Sequence, residues 1–303
     1  MPLLIVAAVA SLGFALLSDQ FLTSFNVYVI LSNTALLSLI GFAQMIVLAV
    51  GEFSLAVGAI GGLVGVVTGY LLVAHGLPLA PALMGGLALG AFYGWLNGLL
   101  VAFSGVGGFV ITLAIGGLGA GIALAITGTI PYTGLPTLLT QFGTGRIGPL
   151  PFVLAVAVLA AAGLGTLYRW RRTGRAMLAV GGNPEAAELS GLSRPRAIVW
   201  AHALSGLVAG AAGIVAMAQL HEVNPAAGSF WLIRSFTIPI IGGTLLGGGE
   251  LSIVGILAAA LILATISDGL ILVNVPPIWI TLIEGVLILL AVLIGRVRLG
   301  RRA

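Results

Sequence analysis

Apolar runs of about 20 residues follow one another along this chain, each long enough to cross the hydrocarbon core of a bilayer. In lipid, backbone polar groups must be satisfied within the protein. Runs of this length therefore point to a helical bundle, since barrel strands are shorter and alternate in polarity. Composition agrees, with 303 residues, 60% hydrophobic, 7% charged and a mean hydropathy of +1.23. The fold class is an all-α polytopic membrane protein, expected as one transmembrane domain of about ten helices. The expected segments are 3–17, 34–50, 55–73, 82–103, 109–130, 150–167, 198–218, 231–246, 251–273 and 279–294. The first is read as a retained span, because it has no basic n-region and no clear cleavage site.

One stretch breaks the pattern. Residues 168–200 hold Arg169, Arg171, Arg172, Arg175, Arg194 and Arg196, six of the twelve cations, together with Glu185 and Glu188. Each charge at a bilayer centre costs about 2.5–3.5 kcal/mol on insertion scales, so this insert lies in water. Its Arg excess assigns it to the cytoplasm, as does the excess in the tail at Arg296, Arg298, Arg301 and Arg302. The domain then divides into six segments at 1–168, a cytoplasmic loop at 169–197, and four segments with a basic tail at 198–303. Both termini fall on the cytoplasmic side by parity. Loops 131–149 and 221–230 fall outside, and Arg146 there runs against the charge bias. Within the insert, Asn183 suits an N-cap, Pro184 a first helical position and Gly191 a C-terminal stop, so one short helix is expected over 185–190.

What the chain lacks narrows its chemistry. It has no Cys and no Lys, which excludes thiolate chemistry, a P-loop lysine and Schiff bases. No zinc-protease or nucleophile-elbow motif occurs, so the chain is expected to be neither an enzyme nor the holder of a metal or cofactor. The net charge of +4 reports topology, and nucleic-acid binding is not expected. Candidate functional groups are ionisable residues near apolar segments, chiefly Glu52, Asp268 and Glu284. Glycine is the other signal, at 46 of 303 residues. Gly86, Gly90, Gly94 and Gly98 form a ladder at every fourth position. Gly61, Gly65 and Gly69 form another, and the pairs Gly117–Gly121 and Gly206–Gly210 repeat the spacing, which lets helix backbones approach closely. Residues 51–58, GEFSLAVG, are echoed at 249–255, GELSIVG, a sign of internal duplication around interrupted helices.

Several stretches resemble one family, the membrane permease subunits of ribose and simple-sugar ATP-binding-cassette importers. Residues 174–191, GRAMLAVGGNPEAAELSG, look like its cytoplasmic coupling stretch, and Glu185-Ala186-Ala187 with Gly191 fits the wider EAA-x-x-x-G pattern of importer permeases. Asn97 to Val101, then Phe109, Thr112, Leu113 and Thr127-Gly128, are similar to the central span. Residues 241–249, IGGTLLGGG, resemble the late glycine motif. The early motif departs from the family, with Ser54 where Asp is usual, and Gly107-Gly108 stand where Pro residues often precede the central Phe. The resemblance implies a coupling loop through Gly174, Arg175, Gly181, Gly182, Asn183, Glu185, Ala186, Ala187 and Gly191. It also points to Glu52, Ser54, Phe109, Thr112, Asp268 and Glu284 as pathway or gate candidates. It implies three kinds of partner: a cytoplasmic ATPase that binds the ATP, an extracytoplasmic solute-binding protein, and a second permease chain. The place is the inner cell membrane, and the sparse charge of the spans suits a neutral polar solute such as a sugar. From the residues alone, an ion-gradient transporter working through Asp268 and Glu284 and a non-transporting scaffold remain open alternatives.

Overall fold

A computed structural model describes residues 2–128, 130–244 and 247–276, together with 278–279, 282–283 and 285–286. Among the described residues the regular structure is helical, apart from a two-stranded ribbon of β1 (Arg146–Ile147) and β2 (Leu150–Pro151). Among the described residues, six helices are long and apolar enough to cross a membrane: α2 (Ser24–Leu48), α4 (Leu79–Phe103), α5 (Gly108–Thr127), α7 (Val153–Trp170), α10 (Arg194–Leu220) and α12 (Ile253–Leu272). Three shorter apolar helices, α1 (Pro2–Leu17), α3 (Val57–Val73) and α11 (Trp231–Ile241), complete the set for the first nine expected segments. The tenth, 279–294, lies outside the described residues apart from a few positions.

The centre of the bundle is α10, which packs along α4, α3 and α2. Glycines decide how closely it sits. A Cβ at Gly90 would lie 2.6 Å from the Gly206 carbonyl oxygen, and one at Gly98 would lie 2.8 Å from the Cα of Val199. A Cβ at Gly94 would collide with the carbonyl oxygen of His202. Gly86 does the same service for α3, taking the Thr68 side chain against bare backbone. The α3 ladder is used in turn: Gly61 receives the Trp231 ring, Gly65 faces the Gly213 carbonyl and Gly69 receives Val223. Asn97 and His202 meet inside this interface at 3.4 Å.

The helix boundaries depart from hydropathy where polar groups cap them. Helix α2 starts ten residues before the expected segment at 34, because the Thr23 hydroxyl accepts from the Asn26 N–H at 3.3 Å and the Asn26 amide donates to the Phe21 carbonyl at 2.9 Å. Helix α10 likewise starts at Arg194 under a Ser193 cap. The 131–149 stretch, read as a loop, contains α6 (Thr137–Thr144) and the ribbon. There the Arg146 guanidinium stacks 5.2 Å from the Tyr28 ring and 5.7 Å from Phe25, which shelters the charge beside aromatic faces.

Two interruptions matter most. At 1.5 Å per residue, α3 spans about 25 Å and α11 about 16 Å, short of a hydrocarbon core of about 30 Å. Both begin inside the bundle and beside one another. Ala56, just before α3, lies against Gly116, two turns into α5, and Trp231, the first residue of α11, packs on Gly58. Residues 221–230 are therefore not a simple surface loop. They run back along α3, from Val223 at Gly69 to Gly228 at Gly58, because the α3 glycines leave room for a second backbone. Replacing Gly94 with Leu should force α4 off α10 and destabilise the bundle by roughly 1–3 kcal/mol or more. A lowered thermal midpoint of the detergent-extracted protein checks this.

Candidate functional site

The Arg-rich insert folds as two helices, α8 (Arg172–Gly182) and α9 (Pro184–Leu189). The expected short helix is α9, and its ends are built as the residue types suggest. The Asn183 side chain accepts from the Ala186 N–H at 2.9 Å, with Pro184 in the first turn. At the other end Gly191 takes φ +80°, its N–H bonds to the Glu188 carbonyl at 2.9 Å, and the Leu192 N–H bonds to Ala187 at 3.0 Å. That is a Schellman stop, which needs a residue free to adopt the left-handed conformation. Ala187 is buried, while Glu185, Ala186 and Glu188 are exposed and Leu189 is 91% exposed.

Helix α8 had a signal that hydropathy over long windows does not see. Gly174, Met177, Val180 and Gly181 recur at helical spacing and form its buried side. Gly174 lets α8 fold back on the Leu167–Tyr168 backbone, and Arg175 donates to the Arg169 carbonyl at 3.3 Å. At its far end Gly181 meets the Ala49 carbonyl oxygen and Gly249, and Gly182 lies against the Gly249 Cα. The Gly249 N–H in turn donates to the Ala49 carbonyl at 3.1 Å.

The two echoed stretches therefore come together in space. Ala49 to Ala56 joins α2 to α3, and residues 242–252 join α11 to α12. Gly41 on α2 lies against Ile238 on α11, and Ala49 against Gly249, so α2 and α11 reach the junction side by side and in the same sense. Each stretch carries a serine ahead of the next helix, and Ser252 is the N-cap of α12. The Ser54 hydroxyl accepts from the Ala56 N–H at 3.3 Å, and that of Ser252 accepts from the Gly255 N–H at 3.0 Å.

Among the pathway candidates, Glu52, Ser54, Phe109 and Thr112 form one neighbourhood. Thr112 is fully buried. Its hydroxyl accepts from the Leu55 N–H at 3.1 Å and donates to the Phe109 carbonyl at 3.2 Å, tying the α2–α3 connection to α5. Phe109 itself is exposed on the outer side of α5. Glu52 lies 3.5 Å from the Arg194 guanidinium. Burial pushes its carboxyl above the ordinary carboxylate value, and Arg194 pulls it part of the way back. Asp268 stands apart, buried near the far end of α12 and facing Asn26 at the start of α2. Glu284 lies outside the described residues. No group of three or more His, Cys, Asp or Glu is placed to hold a metal ion among the described residues.

One glycine pair is left open. Nothing lies within 4 Å of a Cβ at Gly117 or Gly121, which line a groove along α5 with Ala114, Leu118, Ile122 and Ala125. Changing Asn183 to Ala should cost α9 about 1 kcal/mol of local stability. Faster amide hydrogen exchange at residues 186–188, with the rest of the bundle unchanged, checks this.

Over residues 17–292 the chain matches the family described as branched-chain amino acid transport system / permease component. It is 35% identical to the fructose import permease protein of Rhizobium meliloti, an alignment covering 97% of this chain and 84% of that one. It is 34% identical to the ribose import permease protein of Bacillus subtilis (93% and 88% covered) and 31% identical to the L-arabinose ABC transporter permease protein of Azospirillum brasilense (93% and 83%). No solved structure matches. Similarity that runs through every helix from α2 to α12 leaves one assignment: the chain belongs to the permease components of simple-sugar ATP-binding-cassette importers, a membrane transport subunit and not an enzyme.

Proposed function

We propose that this chain forms half of the translocation path of an ATP-driven, binding-protein-dependent importer for a sugar or a similar small neutral polar solute. The observation that carries the mechanism is α9, a helix capped at both ends that stands out from the Arg-rich insert. Helix α9 docks on a cytoplasmic ATPase, which binds and hydrolyses the ATP. Leu189, an apolar side chain in water at the tip of α9, is the anchor expected at the centre of such a contact. Glu185 and the exposed arginines around it form the polar rim.

The insert and the basic tail then face the cytoplasm, ten segments cross or enter the inner membrane, and both termini lie inside. An extracytoplasmic binding protein delivers solute to the opposite end, where α6 and the ribbon lie. A second permease chain, identical or paralogous, covers the open α5 groove, since small-residue faces are where membrane helices associate. The relatives named for fructose, ribose and L-arabinose support a sugar cargo, and the small number of charges along the helices supports a neutral one.

Three outcomes are expected. Exchange of Leu189 for Asp lowers the amount of ATPase that co-purifies from native membranes by about tenfold, as loss of a central apolar anchor does. Glu185→Lys and Gly191→Val leave the bundle folded but separate ATP hydrolysis from solute uptake in reconstituted vesicles. Normal ATP-driven uptake by both variants would sink the docking role of α9. Gly117→Leu, on the α5 groove, shifts the permease pair towards single chains by native mass measurement in mild detergent.

A further inference from the structure

A six-residue helix that docks a partner can move a membrane bundle only if it is fastened to something that moves. The fastenings of α9 are unusual in both leading to the same place. Upstream, Asn183 alone separates α9 from α8. Its backbone N–H bonds to the Ala179 carbonyl at 3.1 Å while its side chain caps α9, so the two helices move as one piece. The end of α8 is then pressed by Gly181 onto the Ala49 carbonyl, with no room for a methyl group between them. Downstream, residues 190–193 lead directly into α10, whose first residue, Arg194, reaches Glu52 at 3.5 Å. Both ends of the α9 loop therefore grip residues 49–52.

That stretch is the elbow between α2 and α3. Gly51 turns it at φ +79°, and its partner turn uses Gly248 at +86° and Gly249 at +82°. The Gly249 to Ala49 hydrogen bond joins the two elbows, so a displacement at the end of α8 is felt by α3 and by α11–α12 together. Beyond the elbow, Leu55 hands the displacement to Thr112 on α5. The Glu52 side chain is 19% exposed and that of Arg194 47%. Such a pair fixes a geometry from the Glu52 side, because removing Arg194 leaves a largely buried carboxyl without its cation.

We propose that the elbow at residues 49–52 is the point where motion of α9 enters the bundle, with the Glu52–Arg194 ion pair and the Gly181–Ala49–Gly249 contact as its two attachments. Glu52 and Arg194 are positioning residues, acting through the elbow and not on the solute. The proposal rests on the reading of α9 as the ATPase-docking helix.

The test uses the full chain, co-purified with its ATPase and binding protein and reconstituted in vesicles. Radiolabelled ribose, fructose and L-arabinose serve as probes, and the readout is solute imported per ATP hydrolysed. Glu52→Arg and Arg194→Glu should each lower that ratio by about fivefold or more while the ATPase stays bound, and the double exchange should restore it to within about twofold. The isosteric Glu52→Gln serves if the charge reversals fail to assemble, and should lower the ratio by about twofold. A purely structural role would change assembly or both activities in parallel and leave the ratio alone. Assembled single variants, or Glu52→Gln, with the wild-type ratio overturn the proposal, as does a double exchange that does not restore it. If the wild-type chain brings down no ATPase and takes up none of the probes with ATP, the importer reading fails instead, before any variant is compared.

Discussion

Backbone against backbone is the contact on which this structure depends. Lipid tails are as apolar as leucine, so the hydrophobic effect gives membrane helices little reason to prefer one another over lipid. Close approach, with its many small dispersion gains, must take over. Here the approach is made by glycine on both partners: Gly90 and Gly94 meet Gly206 between α4 and α10, Gly61 meets Gly213 between α3 and α10, and Gly242 meets Gly255 between α11 and α12. A side chain at any of these positions would do more than reduce a contact. It would move a helix.

The same economy of space explains the interrupted helices. A chain that leaves α10 and turns inward along α3 can do so only where α3 has no side chains to displace. The α3 ladder provides that lane for Val223 to Gly228. Two short helices thereby begin next to each other within the bundle, and two turns built on positive-φ glycines meet at the end that carries the Arg-rich insert. Half-helices that start inside a bundle are a recurrent way for transporters to bring backbone dipoles and turns to the protein interior without exposing them to lipid.

Local chemistry was legible in the sequence, and long-range geometry was not. Asn183, Pro184 and Gly191 announce α9 because caps act within four residues of themselves. The bundle class follows from hydropathy alone. Helix α8 escaped because it is short and its apolar positions share eleven residues with Arg172 and Arg175, which cancel them in a long window. Helix α3 was read to within two residues, whereas the end of α11, expected at 246 and found at Ile241, escaped because an apolar turn and an apolar helix have the same hydropathy. The echo between residues 51–58 and 249–255 pointed to the right two places, but nothing in it told that they touch or that Gly181 lies between them. Glu52 was read as an ionisable candidate beside an apolar segment, and its partner, Arg194, was read only as part of a basic loop. Thr112 was grouped with the pathway residues, and the structure adds its hydrogen bond to Leu55, which no spacing could have shown.

The separation of Glu52 and Arg194 along the chain also bears on how the protein is made. At about 5–20 residues per second, Glu52 is joined to the growing chain roughly 7–30 s before Arg194. During that interval the Glu52 carboxyl has no Arg194 to meet it. The elbow cannot take its final form, and Gly181 and Gly249, which complete it, are also still to come. The elbow is therefore closed in steps, first by Gly181 and Arg194 of the Arg-rich insert and last by Gly249.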